Sequence, residues 1–132
     1  MALRVVRLGT PRGRREGLRI GTVRRPPRGV PKSEFAKRGF YDVWLPELSP
    51  SEALVRTARQ ARDEREWRAF VRKYRSEMKR PEAAHLLDLL TALSQTADLS
   101  VGCYCLDARY CHRSVLRELL AARGAKMAPE RP

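Results

Sequence analysis

The stretch that decides the fold is Leu99-Ser100-Val101-Gly102-Cys103-Tyr104-Cys105, followed by Leu106 to Tyr110 and then by Cys111-His112-Arg113-Ser114-Val115-Leu116. The first seven residues alternate with period two, which predicts a strand with Leu99, Val101, Cys103 and Cys105 on one face. Leu106 to Tyr110 reads as a loop. From Cys111 the period becomes helical, with Val115, Leu116, Leu119 and Leu120 on one stripe and Gly124 as the natural C′ residue. A strand that feeds a loop and then a helix is a building unit of a small α/β layered domain.

The upstream sequence agrees with that class. Trp67, Phe70, Val71, Tyr74 and Met78 fall on one helical stripe, with Asp63 and Glu66 placed as an N-cap pair. Ser49-Pro50-Ser51-Glu52 carries the S-x-x-E pattern with proline at the first helical position and predicts a helix from there to about Arg62. Pro81-Glu82 opens a leucine-rich, largely buried helix. Ahead of these, Leu3 to Leu8, Leu18 to Arg24 and Phe40 to Leu45 read as short strands separated by basic loops. The expected order is a few strands, three helices, a strand and a helix. Ala125 to Pro132, with two prolines and no apolar period, reads as a flexible tail behind a single domain over residues 1–124.

Composition narrows the function classes. With 132 residues there is room for one core, and 42% hydrophobic residues can fill it. No apolar run reaches the length of about 18 residues that a membrane-spanning helix needs, so no membrane partner and a cytoplasmic location are expected. Three cysteines, two of them at i, i+2, make a poor disulfide framework and fit a reducing compartment. The formal charge is +13, and residues 1–40 hold 12 basic but only 2 acidic residues. Such an excess favours a polyanionic partner, nucleic acid or a phosphorylated small molecule.

The candidate site is the C-H-R turn. A helix start presents unpaired N–H groups and a positive dipole end, which suits an anion. Arg113 in the first turn, His112 beside it and Arg109 in the preceding loop repel one another unless an anion joins them. Cys111 at the same helix start is expected to be a reactive thiol. Cys103 and Arg109 also show the C-x₅-R spacing of thiol phosphatases, without the glycines of that loop. Cys103, Cys105, Cys111 and His112 supply enough donors for zinc, yet C-x-C-x₅-C-H is not a usual zinc spacing, so no metal and no cofactor is expected. Arg19, Arg24, Arg28 and Lys32 complete the expected anion-binding set, and the three arginines are expected to converge with Arg113 on one concave surface. Cys111, His112, Arg113 and Cys103 are the candidate catalytic residues, should the protein be a small thiol or acid/base enzyme acting on a phosphorylated or nucleotide substrate.

Four ordered motifs carry a family resemblance. Gly17-x-Arg19, Arg24 and Pro27-Arg28-Gly29 with Lys32 form the first, and Trp44 with Leu48-Ser49-Pro50-Ser51 the second. Trp67, Phe70, Tyr74 and Glu77 form the third, and Cys103 with Cys111-His112-Arg113-Ser114 the fourth. Over residues 4–122 the chain resembles the domain-of-unknown-function family DUF488, in its short YeaO-like form. The resemblance implies an α/β fold with parallel strands and a site at the C-H-R turn, and it supplies no activity. Val23-Arg24-Arg25-Pro26 stands where the family carries D-R-x-W, and Cys105 stands where it usually has an acid after the first cysteine.

Overall fold

A computed structural model describes residues 1–105 and 110–129. Four strands, β1 (Leu3–Arg7), β2 (Leu18–Gly21), β3 (Val43–Trp44) and β4 (Leu99–Cys103), form one sheet in the order β1-β4-β2-β3. Every pairing is parallel, with Leu3 opposite Leu99, Ile20 opposite Val101 and Ile20 opposite Val43. Helices α1 (Glu52–Gln60), α2 (Glu64–Glu77) and α3 (Pro81–Leu93) lie between β3 and β4, and α4 (His112–Ala122) follows β4. The fold is α/β, as the sequence implies.

The caps explain where the helices start. Ser51, not Ser49, caps α1 by accepting from the Leu54 amide, and the Glu77 carboxylate accepts from the Ser51 amide. Asp63 caps α2 by accepting from the Glu66 amide. Proline opens α3 at a position where its missing N–H costs nothing.

The sheet's two faces are covered differently. Leu3, Leu99, Val101 and Ile20 share one face, and there they meet Leu54, Trp67, Phe70, Tyr74, Leu87, Leu90, Leu116 and Leu120, so all four helices feed a single core. Removing each such side chain from water stabilises the fold by about 1.5–3 kcal/mol. The opposite face presents Arg19, Gly21, Ser100 and Gly102. No helix covers it. The chain between β1 and β2 and the chain between β2 and β3 lie there instead, and a methyl group on Gly21 would stand 2.4 Å from the Tyr41 ring.

Loops packed on a sheet need their polar backbone groups satisfied, and Arg19 does this. Its side chain is 1% exposed. Nε and Nη2 donate to Glu16 Oε1 at 3.0 and 2.8 Å, and Glu16 is equally buried. Nη1 donates to the Thr10 carbonyl at 2.7 Å and to the Gly39 carbonyl, and Nη2 reaches Pro11 O at 3.4 Å. The guanidinium thus ties both covering loops to β2. Gly17 turns the chain into that strand at φ 63°, and a Cβ on it would lie 1.9 Å from the Asp98 carbonyl oxygen, so the Gly17-x-Arg19 pattern has a steric and an ionic reason.

Two sequence expectations are corrected here. The strand expected over 99–105 ends at Cys103. The expected tail is docked at its start: Leu3 N donates to Lys126 O, and Ala128 N donates to Leu3 O, both at 2.8 Å, with Ala128 3% exposed. Residues 126–128 therefore extend the β1 edge, which a reading for apolar period does not detect.

Removing one partner of the Arg19–Glu16 pair strands a buried charge, so Glu16→Ala is expected to lower unfolding free energy by about 3–5 kcal/mol in urea titration. A loss under about 1 kcal/mol would show that the loops hold without it. Asp42 gives a pH signature. The Arg12 guanidinium, bonded to both its oxygens at 2.8 and 2.9 Å, holds its carboxyl below the ordinary value of 3.8. A depressed carboxylate stabilises the fold above its unfolded pKa, and that contribution is lost as pH falls through the folded value. Melting temperature against pH should therefore fall less steeply below about pH 4 in Asp42→Asn than in the natural chain, and superimposable curves would refute the assignment.

Candidate functional site

The strands' carboxyl ends converge on one place, where parallel sheets usually carry their sites. Cys103 ends β4, Thr22 follows β2, Leu8 follows β1, and Cys111 and His112 begin α4. A second small core of Leu8, Val23, Tyr41, Cys103 and Cys111 forms at this end, with Phe35, Phe40 and Tyr104 packed against it. Leu8 N donates to Cys103 O at 2.8 Å and Thr22 N to Gly102 O at 3.0 Å, so the ladder carries past the strand ends and fixes the site's walls.

His112 is held on three sides. It is 9% exposed. Its Nε2 lies 2.7 Å from the Thr22 carbonyl and 3.3 Å from Thr22 Oγ1. A carbonyl only accepts, so Nε2 carries the proton and Nδ1 keeps its lone pair. Nδ1 faces Cys111 Sγ at 3.7 Å. The Tyr74 ring packs edge-on against the imidazole at a centroid distance of 5.6 Å, at the end of a stack that runs back through Phe70 to Trp67. Tyr74 is itself fixed by donating to Leu48 O at 2.7 Å. Burial pushes the His112 pKa down to about 4, against the hydrogen bond to Thr22, so the ring is neutral at pH 7.

Three thiols gather beside it. Cys103 Sγ and Cys111 Sγ are 2.7 Å apart and both residues are 2% exposed. Cys105 lies beyond the end of β4 and is exposed. Hydrogen bonds from Cys103 and then Cys111, with the Arg113 charge, hold the Cys105 thiol well below its ordinary value. For Cys111 a hydrogen bond with Cys103 pulls the pKa down, but Cys105 and burial outweigh it and leave it raised to about 11. Cys103 is raised further by Cys105 and Cys111. The sequence expects a reactive thiol at Cys111; the structure places that side chain in a sealed position, 2% exposed, where water does not reach the helix start.

Arg113 is 5% exposed and donates to the Cys105 carbonyl at 2.6 Å, while its Nε makes no hydrogen bond among the described residues. The N-terminal cations do not join it in one open cradle. Arg19 is consumed inside the fold. Arg24 donates to the carbonyls of Pro50 and Ser49 at 3.1 and 3.2 Å, anchoring the start of α1. Arg28 and Lys32 are exposed on the loop after β2. Arg109 lies outside the described residues. The buried use of Arg19 was missed because an arginine alternating with apolar residues in a strand reads as an outward-facing cation. Glu16 at i−3, alone among basic neighbours, was the available signal.

A family model described as "DUF488-N3a: Active DUF488-N3 subclade" matches residues 3–124. The chain belongs to the DUF488 family. No curated protein and no solved structure matches it. The DUF488 match spans all four strands and all four helices, so the Cys103–Cys111–His112–Arg113 end of the sheet lies wholly inside the family unit.

Burial orders the thiols. Iodoacetamide should label Cys105 rapidly in the folded, reduced, metal-free chain and Cys103 and Cys111 only on denaturation, as read by peptide mass spectrometry. Labelling of Cys111 as fast as Cys105 would contradict the packing described above.

Proposed function

We propose that the protein binds nucleic acid through the phosphate backbone, using the basic segments that cover the sheet face opposite the four α-helices. The observation that carries this reading is the exposure of Arg14, Arg15, Arg28, Lys32, Lys37 and Arg38, none of which forms an ion pair with the described residues. The only acids in residues 1–40 are Glu16 and Glu34, and Glu16 is buried against Arg19. Burying that pair removes one charge of each sign and leaves the basic excess of the region in place, although Arg4, Arg12 and Arg25 pair with Asp98, Asp42 and Glu52 from outside it. A cleft between residues 9–12 and 36–39 adds shape, with Lys37 and Arg38 on one wall and Arg12 on the other.

Contacts of this kind recognise phosphate rather than base edges, so binding should show little sequence preference. Affinity should fall with salt by roughly 0.9 log–log units per phosphate neutralised on a duplex. Fluorescence anisotropy with a labelled duplex at several salt concentrations measures that slope. The double variant Lys37→Ala/Arg38→Ala is expected to reduce it by about 2 without changing the melting temperature, since neither side chain is buried. No binding at low salt, or an unchanged slope in the variant, would overturn the proposal.

A further inference from the structure

We infer that Cys103, Cys111 and His112 form a buried site for a soft divalent cation of the zinc class, with Cys105 closing the fourth position. The inference is independent of the basic face. Cys103 Sγ, Cys111 Sγ and a ring nitrogen of His112 lie within 4.8 Å of one another, from residues eight and nine apart that β4 and α4 bring together. The spacing in the sequence is not that of a zinc finger, since the fold and not a short knuckle supplies the approach.

Three features point to a cation. First, the donor set is two thiols and an imidazole, the soft ligands that select zinc over magnesium or calcium. Second, His112 is oriented as metal-bound histidines are. Its Nε2–H donates to the Thr22 carbonyl at 2.7 Å, which leaves the Nδ1 lone pair aimed at the sulfurs. The Tyr74 ring and Thr22 Oγ1 hold that orientation. Third, the pocket has a balancing charge. With Cys105 as a third thiolate the centre carries one net negative charge, and Arg113 is buried next to it, bonded to the Cys105 carbonyl.

The distances accommodate the ion with one small shift. Zinc–sulfur bonds near 2.3 Å place two tetrahedral thiolates about 3.8 Å apart. Nδ1 to Cys111 Sγ already stands at 3.7 Å. Cys103 and Cys111 stand at 2.7 Å and must part by about 1 Å, a movement of a thiol end and not of backbone. Cys105 falls outside the tight trio and is exposed, so the fourth ligand is the replaceable one. As the Zn–S bonds to Cys103 and Cys111 form, their S–H bonds break and the protons pass to solvent; Cys105 binds through its thiolate, and no oxidation is involved.

The test uses the full chain, reduced with a phosphine, stripped with a chelator and then offered zinc ions alone. The expected result is one tightly held equivalent per chain by elemental analysis, together with strong slowing of iodoacetamide labelling at Cys105. Cys111→Ala should lose more than about a hundredfold in affinity, whereas Cys105→Ser should still bind. X-ray absorption of the cobalt-loaded natural chain should show a sulfur-rich shell with one nitrogen, and this decides the matter if Cys111→Ala does not fold. Substoichiometric uptake, a Cys103–Cys111 disulfide that persists under reduction, a folded Cys111→Ala that binds as tightly, or a shell without sulfur would each overturn the site.

Discussion

The fold rests on a buried ion pair in an unusual place. Parallel sheets normally have helices on both faces, because each crossover brings one. Here no α-helix among the described residues covers one face, and Arg19 with Glu16 takes the role that an apolar helix face would play. A planar guanidinium satisfies several carbonyls at fixed angles, which a lysine cannot reproduce. The loops so tied place Leu8, Tyr41 and Phe40 over the strand ends, and these close the small core beneath Cys103 and Cys111. The ordering of the site thus begins at a residue that does not touch it.

The site and the main core share a wall. Tyr74 belongs to the aromatic stack of α2 and also to the surroundings of His112. Thr22 belongs to the end of β2 and fixes the imidazole's proton. The thiol cluster is therefore supported from the sheet on one side and from α2 on the other. Cys105 stands outside this support, which is why it differs from its neighbours in exposure and in acidity. Cys105 is thus the exposed thiol at the mouth of the site, backed by two sealed ones, and Arg113 is bonded to its carbonyl.

Much of the architecture was legible in the sequence. The α2 stripe from Trp67 to Met78 was readable because one face is apolar at helical spacing and the other is charged. α4 was readable for the same reason, and β4 from its period-two alternation. The misreadings share a physical cause, which is that local pattern does not report partners far away in sequence. Arg19 looks exposed until Glu16 and the carbonyls of Thr10 and Gly39 are placed around it. Cys105 looks like the next inward position of a strand that in fact stops at Cys103. Residues 126–128 have no apolar period, since they are held by backbone hydrogen bonds to Leu3, and backbone pairing leaves little trace in side-chain composition. The C-H-R turn was located by residue type, but which sulfur faces water depends on three-dimensional packing.

The strand order has a consequence for how the molecule is made. β4 sits between β1 and β2, yet it is the last strand in the chain, and nearly eighty residues separate Gly21 from Leu99. During synthesis β1 and β2 leave the ribosome before the strand that separates them in the finished sheet. The sheet closes only after β4 has been translated and inserted, by which time α1, α2 and α3 have already emerged. Sheet formation is thus postponed to a late, long-range step of the kind that slows folding. Through that interval the strand edges on both sides of the gap stay open to other chains.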